Sequence, residues 1–165
     1  MQVAEYLNAT GFATLLFDLL TEGESSDRRN VFDIDLLGSR LVAATEWLAD
    51  RPETAGLATG YFGASTGAAA ALVAAAKLGR HVRAVVSRGG RPDLAIPFLD
   101  KVTAPTLLIV GGNDHPVIGM NEEAQRHLRV ETELVIVPGA THLFEEPGAI
   151  EQVCELAARW FERHL

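Results

Sequence analysis

The sequence is short of positive charge, of cysteine and of long apolar runs, and each shortage closes off a class of function. Against 22 aspartates and glutamates stand only 14 lysines and arginines, a formal net charge of −8, and the pI is near 5.1. Nucleic-acid binding needs a basic stripe that displaces counterions from phosphates. The densest basic stretch, Asp27-Arg28-Arg29, is short, so no nucleic-acid partner is expected. The single cysteine, Cys154, excludes an internal disulfide and suits a reducing cytoplasm. It falls in a helical pattern and reads as a buried structural thiol. The longest uncharged apolar run, Ala68 to Ala76, is nine residues, where a membrane span needs about twenty. Met1-Gln-Val-Ala-Glu-Tyr has neither the basic start nor the apolar stretch of a secretory signal. The expectation is a cytoplasmic protein with no membrane partner.

What is present is enough apolar residue, 48% of 165, to bury the core of one domain spanning residues 1–165. Met1 to Ala9 has a short helical pattern. Phe12 to Leu20 (FATLLFDLL) is a nearly continuous apolar run, which suits a strand covered on both faces. Thr21 to Asn30 reads as a polar loop. Phe32 to Ala49 is helical, with Ile34, Leu37, Leu41, Ala44 and Leu48 on one face and Pro52 as the stop. Strands are expected at Leu57 to Phe62, Arg83 to Ser87, Pro105 to Val110 and Glu133 to Val137. Helices are expected at Ala68 to Leu78, Asn121 to Leu128 and from Pro147 to Leu165. Alternation of this kind implies a three-layer α/β/α fold with a mainly parallel sheet of about five strands.

The stretch Thr59-Gly-Tyr-Phe-Gly-Ala-Ser-Thr-Gly-Ala contains Gly63-x-Ser65-x-Gly67 between a strand pattern and a helix pattern. A sharp strand-to-helix turn pushes its central side chain outward, so Ser65 is a candidate nucleophile. Loops that follow parallel strands share one edge of the sheet. Asp114 and His142 each fall just past a strand, in the chain order Ser, Asp, His. Ser65 is inert until a base takes its proton. His142 would be that base, Asp114 would fix its tautomer, and the Thr66 N–H would donate to an oxyanion. Each residue also has a plainer reading: Asp114 as a turn former, with Asp93 then the reserve acid, and His142 as an ordinary loop histidine. His81 and His127 read as surface residues, His164 as terminal, and His115 as either a support for the site residues or structural. Arg88 and Arg91 could grip a substrate carboxylate or serve as loop cations paired with Asp93 or Asp114. Glu145 and Glu146 read as caps of the last helix, and Trp47 and Trp160 as core or partner contacts.

Together GFATLLFDLL, GYFGASTG, APTLLIVGGNDHPV and PGATHLFEEPG resemble an α/β-hydrolase of the dienelactone-hydrolase-like group, over most of the chain. The resemblance implies ester or lactone hydrolysis through an acyl-enzyme, with no metal or cofactor. Ser65 stands where dienelactone hydrolases proper carry Cys. Family members also begin with about three further strands, one of which lies between the runs at Phe12 to Leu20 and Leu57 to Phe62. The loop after that strand supplies the second oxyanion donor. Without it, the two runs would pair directly or another chain would fill the gap, and the donor would come from Thr21 to Asn30 or a neighbouring subunit. An open apolar edge attracts partners, so a homodimer or higher homo-oligomer is expected. The leading function is a small serine esterase for short-chain esters. The alternative is a non-catalytic hydrolase-like remnant or interaction module.

Overall fold

Four apolar runs pair side by side in the order in which they occur along the chain. They are β1 (Thr59–Ala64), β2 (Val82–Arg88), β3 (Thr106–Gly111) and β4 (Thr132–Val137), all parallel. The computed structural model describes residues 2–165, so the expectation for Met1 lies outside the described residues. Helices cover both faces. On one face lie α4 (Ile34–Ala49), α5 (Thr66–Leu78), the single turn α6 (Ile96–Leu99) and α7 (His115–His127); on the other lie α1 (Gln2–Ala9) and α8 (Ala149–His164). The result is the expected three-layer α/β/α arrangement.

Helix cover on both faces explains why β2 and β3 are apolar without alternation. Val85, Val86, Leu108, Ile109 and Val110 are fully buried. Val85 packs towards α5, whose residues from Ala68 to Ala75 are all buried and whose short alanine side chains let helix and sheet approach closely, while Val86 and Ile109 belong to the opposite face. The other face is closed by α8, through Val153, Ala157, Trp160 and Phe161. Cys154 is buried there, and burial pushes its thiol pKa up, as suits an inert structural thiol.

Several boundaries moved for identifiable reasons. The expected loop at Thr21 to Asn30 contains two single-turn helices, α2 (Glu22–Ser25) and α3 (Arg28–Val31). Thr21 and Glu24 cap the first reciprocally, and the Asp27 carboxylate accepts from the Arg29 N–H to start the second. Helix α7 starts at His115, well before Asn121, because Pro116 suits a first turn that needs no amide donor. Trp47 is not a core residue: its ring is half exposed, with the Arg51 guanidinium 4.3 Å above it.

The largest correction concerns Phe12 to Leu20, which makes the observed sheet four-stranded. This run belongs to no strand and ends in a bend at Leu19 and Leu20. Its ends are held by the two helical layers. The Phe12 ring packs edge-on against Phe161 of α8, centroids 6.0 Å apart, and Arg40 of α4 donates to the Leu19 carbonyl at 2.8 Å. Between these anchors Leu15, Leu16 and Phe17 are exposed. The run and β1 do not pair directly; among the described residues β1 bonds only to β2, and its other edge is unpaired. A strand needs a neighbour for its amides and carbonyls, and among the described residues none stands beside this one.

Candidate active site

Strand β1 ends at Ala64 and α5 begins at Thr66, leaving Ser65 alone at the turn with φ of +50° and ψ of −125°. A side-chain-bearing residue at positive φ is strained, and such strain is tolerated where it serves a site. The turn is possible because Gly63 has no side chain: a Cβ there would lie 2.5 Å from the Gly67 carbonyl oxygen and 2.7 Å from the Ala68 Cα. Gly67 itself faces open space. Ser65 Oγ does not cap the helix it precedes. The Thr66 N–H is the first of α5 and has no carbonyl partner within the helix, as at every helix start, so it points out beside Ser65.

At the end of β3, Asn113 and Asp114 turn the chain into α7, and the Asp114 N–H closes the turn on the Gly111 carbonyl at 3.0 Å. The loop after β4 brings His142 to the same edge, where its Nδ1 lies 2.7 Å from Asp114 Oδ2. The carboxylate is nearly covered, at 13% side-chain exposure, and the imidazole is open at 41%. That asymmetry suits a covered acid orienting a ring that stays open to solvent. Glu146 steadies the loop, its carboxylate accepting the Thr141 N–H at 3.1 Å. Hydrogen bonding from the Thr141 side chain, then from the Thr141 and Glu146 backbone, holds the Glu146 carboxyl below the usual range. Glu146 thus does not cap α8 with its side chain as expected; its backbone carbonyl receives the Ala149 N–H, and Gly148 is the cap residue.

The loop after β2 lies between the two halves of the site. The Arg91 N–H donates to the Ser65 carbonyl at 3.0 Å. On the other side, a Cβ at Gly89 would sit 3.2 Å from the His142 carbonyl oxygen and 3.5 Å from its Nδ1. Gly89 at φ of +52° is therefore the glycine that lets the histidine loop close down. Of the two candidate arginines, Arg91 donates two parallel hydrogen bonds to the Asp93 carboxylate, at 2.9 and 2.8 Å. This engages Asp93, the reserve acid, elsewhere. Arg88 lies beneath the His142 loop, half-buried, with Nη1 donating to the His142 carbonyl at 3.3 Å.

The structure thus joins Asp114 to His142 and sets Ser65 at the same sheet edge, without a hydrogen bond from its Oγ to the imidazole. Such bonds are often long in the absence of substrate. His127 is exposed and pairs with Glu123, His81 and His115 are exposed, and His164 packs against Trp160. Sequence reasoning missed the parts of Glu146 and Phe144. The latter is buried at φ of +57° and forms the underside of the histidine loop. The interval Thr141 to Glu146 offered a signal for the first; a positive φ at a phenylalanine leaves none.

The dienelactone hydrolase family model matches residues 1–165. A dienelactone hydrolase from Anabaena variabilis ATCC 29413, solved by crystallography, is 58% identical; the match covers 99% of this chain and 78% of that one, with a TM-score of 0.95. Est1E from Butyrivibrio proteoclasticus shares the fold at 18% identity and a TM-score of 0.80, over 98% of this chain and 79% of its own. A Mycobacterium tuberculosis H37Rv protein, provisionally named a phosphoribosyl transferase, is 63% identical over 163 residues, 99% of this chain. The chain spans 37% of the length of that curated relative, whose name describes a much longer protein. Fold, family model and close relative agree: the chain belongs to the dienelactone hydrolase family.

Proposed function

We propose that the chain hydrolyses short-chain carboxylic esters or lactones through an acyl-enzyme on Ser65. The observation that carries this reading is the 2.7 Å Asp114–His142 pair on the edge where Ser65 stands at positive φ. In the proposed cycle His142 Nε2 takes the hydroxyl proton as Ser65 Oγ attacks the ester carbonyl. Asp114 holds the Nδ1 proton and stabilises the imidazolium. The Thr66 N–H donates to the oxyanion. Collapse expels the alcohol, protonated by His142. Water then attacks the acyl group, with His142 again the base, and frees the acid. No metal or cofactor enters the scheme. Small substrates fit the short helical turns from Pro92 to Leu99, which form no sizeable lid. The cytoplasm is the proposed setting.

The exposed Leu15, Leu16 and Phe17, together with an edge of β1 left unpaired among the described residues, support association into a homodimer or higher homo-oligomer. That unpaired edge also favours a second reading, a hydrolase-shaped module without turnover. The name of the M. tuberculosis relative is no guide to this segment's chemistry: the loop after β1 offers a strained serine and no lysine, unlike a phosphate-binding loop. A fluorophosphonate probe separates the readings. Stoichiometric labelling of Ser65 is expected of the esterase, and no labelling of the folded chain would favour the inert module.

A further inference from the structure

We infer that Arg88 is a positioning residue that holds the His142 loop against the Ser65 turn; this role rests on the esterase reading above. Arg88 is the last residue of β2, in register with Ala64 on one side and Ile109 on the other. It therefore stands next to the residue that precedes the nucleophile. From there its guanidinium reaches the histidine loop at two points. Nη1 donates to the His142 carbonyl at 3.3 Å, and the guanidinium carbon lies 5.5 Å from the centre of the Phe144 ring. Phe144 is 2% exposed and held at positive φ, so the loop is wedged over the arginine.

The electrostatics favour this role over substrate binding. Among the described residues no carboxylate pairs with Arg88, in contrast to Arg91, and Nε is buried without a partner. Burial pushes the guanidinium pKa down. An unpaired, half-buried cation is costly to keep; what offsets the cost here is the carbonyl, the aromatic face and the closeness of Gly89 to the loop. Asp114 fixes the rotation of the imidazole through Nδ1 but does not fix the backbone that carries it. Arg88 and the Glu146 carboxylate, from opposite ends of the loop, do that. A misplacement of the base by about 1 Å can cost on the order of 10²-fold in rate.

The test compares the whole chain with Arg88→Met and Arg88→Lys variants by p-nitrophenyl acetate turnover and by amide hydrogen exchange across residues 141–144. In Arg88→Met, kcat should fall roughly 10–100-fold with KM changed less than about twofold, and exchange at 141–144 should quicken about tenfold. Arg88→Lys, which still reaches the His142 carbonyl, should recover most of kcat. Should Arg88→Met not fold, Arg88→Gln, which keeps a donor without the charge, should show the same pattern at smaller size. Wild-type kcat and loop exchange in the uncharged variant would overturn the inference. So would a loss confined to KM, or to substrates bearing a carboxylate, because either would make Arg88 a substrate binder. If the wild type turns over no ester, the esterase reading fails on its own, and the exchange measurement still decides whether Arg88 anchors the loop.

Discussion

Two apolar runs of similar composition meet opposite fates in this molecule. Thr106–Gly111 is β3, bonded to β2 and β4, with every residue buried. Phe12 to Leu20 is as apolar, yet it pairs with no strand, and Leu16 at its centre is 66% exposed. Hydrophobicity equips a run to be a strand; neighbours on both sides make it one. The comparison bears on chemistry because β1, whose tip is the Ser65 turn, lies between the two regimes. It is paired to β2 on one edge and free on the other. Asp114 and His142 follow the packed strands β3 and β4, and Ser65 follows the strand at the boundary.

The sharpest way to break the comparison is to truncate one leucine in each run. Leu108→Ala should cost about 2–5 kcal/mol, and Leu16→Ala no more than about 0.5 kcal/mol, both read by urea denaturation. Equal costs would show that the first run is packed in solution after all. A subtler effect is expected on association. If the open region is where copies of the chain meet, Leu16→Lys should weaken the dimer by about tenfold or more in sedimentation equilibrium, since burying an unpaired charge is unfavourable. Unchanged self-association would place the contact elsewhere. The smallest effect concerns the clip that holds the end of the open run. Glu24 accepts from Arg40 and from the Thr21 backbone and side chain, which lowers its pKa from 4.5 to about 2. A carboxylate with a depressed folded-state pKa stabilises the fold above its unfolded value and loses that contribution as pH falls from about 4.5 toward 2. Glu24→Gln should therefore flatten the dependence of denaturation midpoint on pH in that window, by a small amount because the pair is solvent-screened. An identical slope in the variant would count against the clip.

Most of the sheet could be read from the sequence, because β1 to β4 are bounded by turn residues and their apolar runs match their burial. Ser65, Asp114 and His142 were legible for a related reason: in a parallel sheet, residues just past strands share an edge whatever their separation in the chain. What was missed depended on partners that only the folded chain brings together. Nothing in GFATLLFDLL says whether a neighbouring strand will be present. Nothing around Arg88 says that it would lie under the His142 carbonyl rather than face the cleft. Glu146 was read as a helix cap because it precedes Pro147, and only the folded loop brings the Thr141 N–H to its carboxylate.

The central claim, that Ser65 is an activated nucleophile served by His142 and Asp114, is tested most directly by rapid mixing of the chain with excess p-nitrophenyl acetate. The account predicts a burst of about one p-nitrophenol per active site as the acyl-enzyme accumulates, abolished in Ser65→Ala and slowed on the order of 10³-fold or more in His142→Ala. A burst of unchanged size and rate in Ser65→Ala would contradict it.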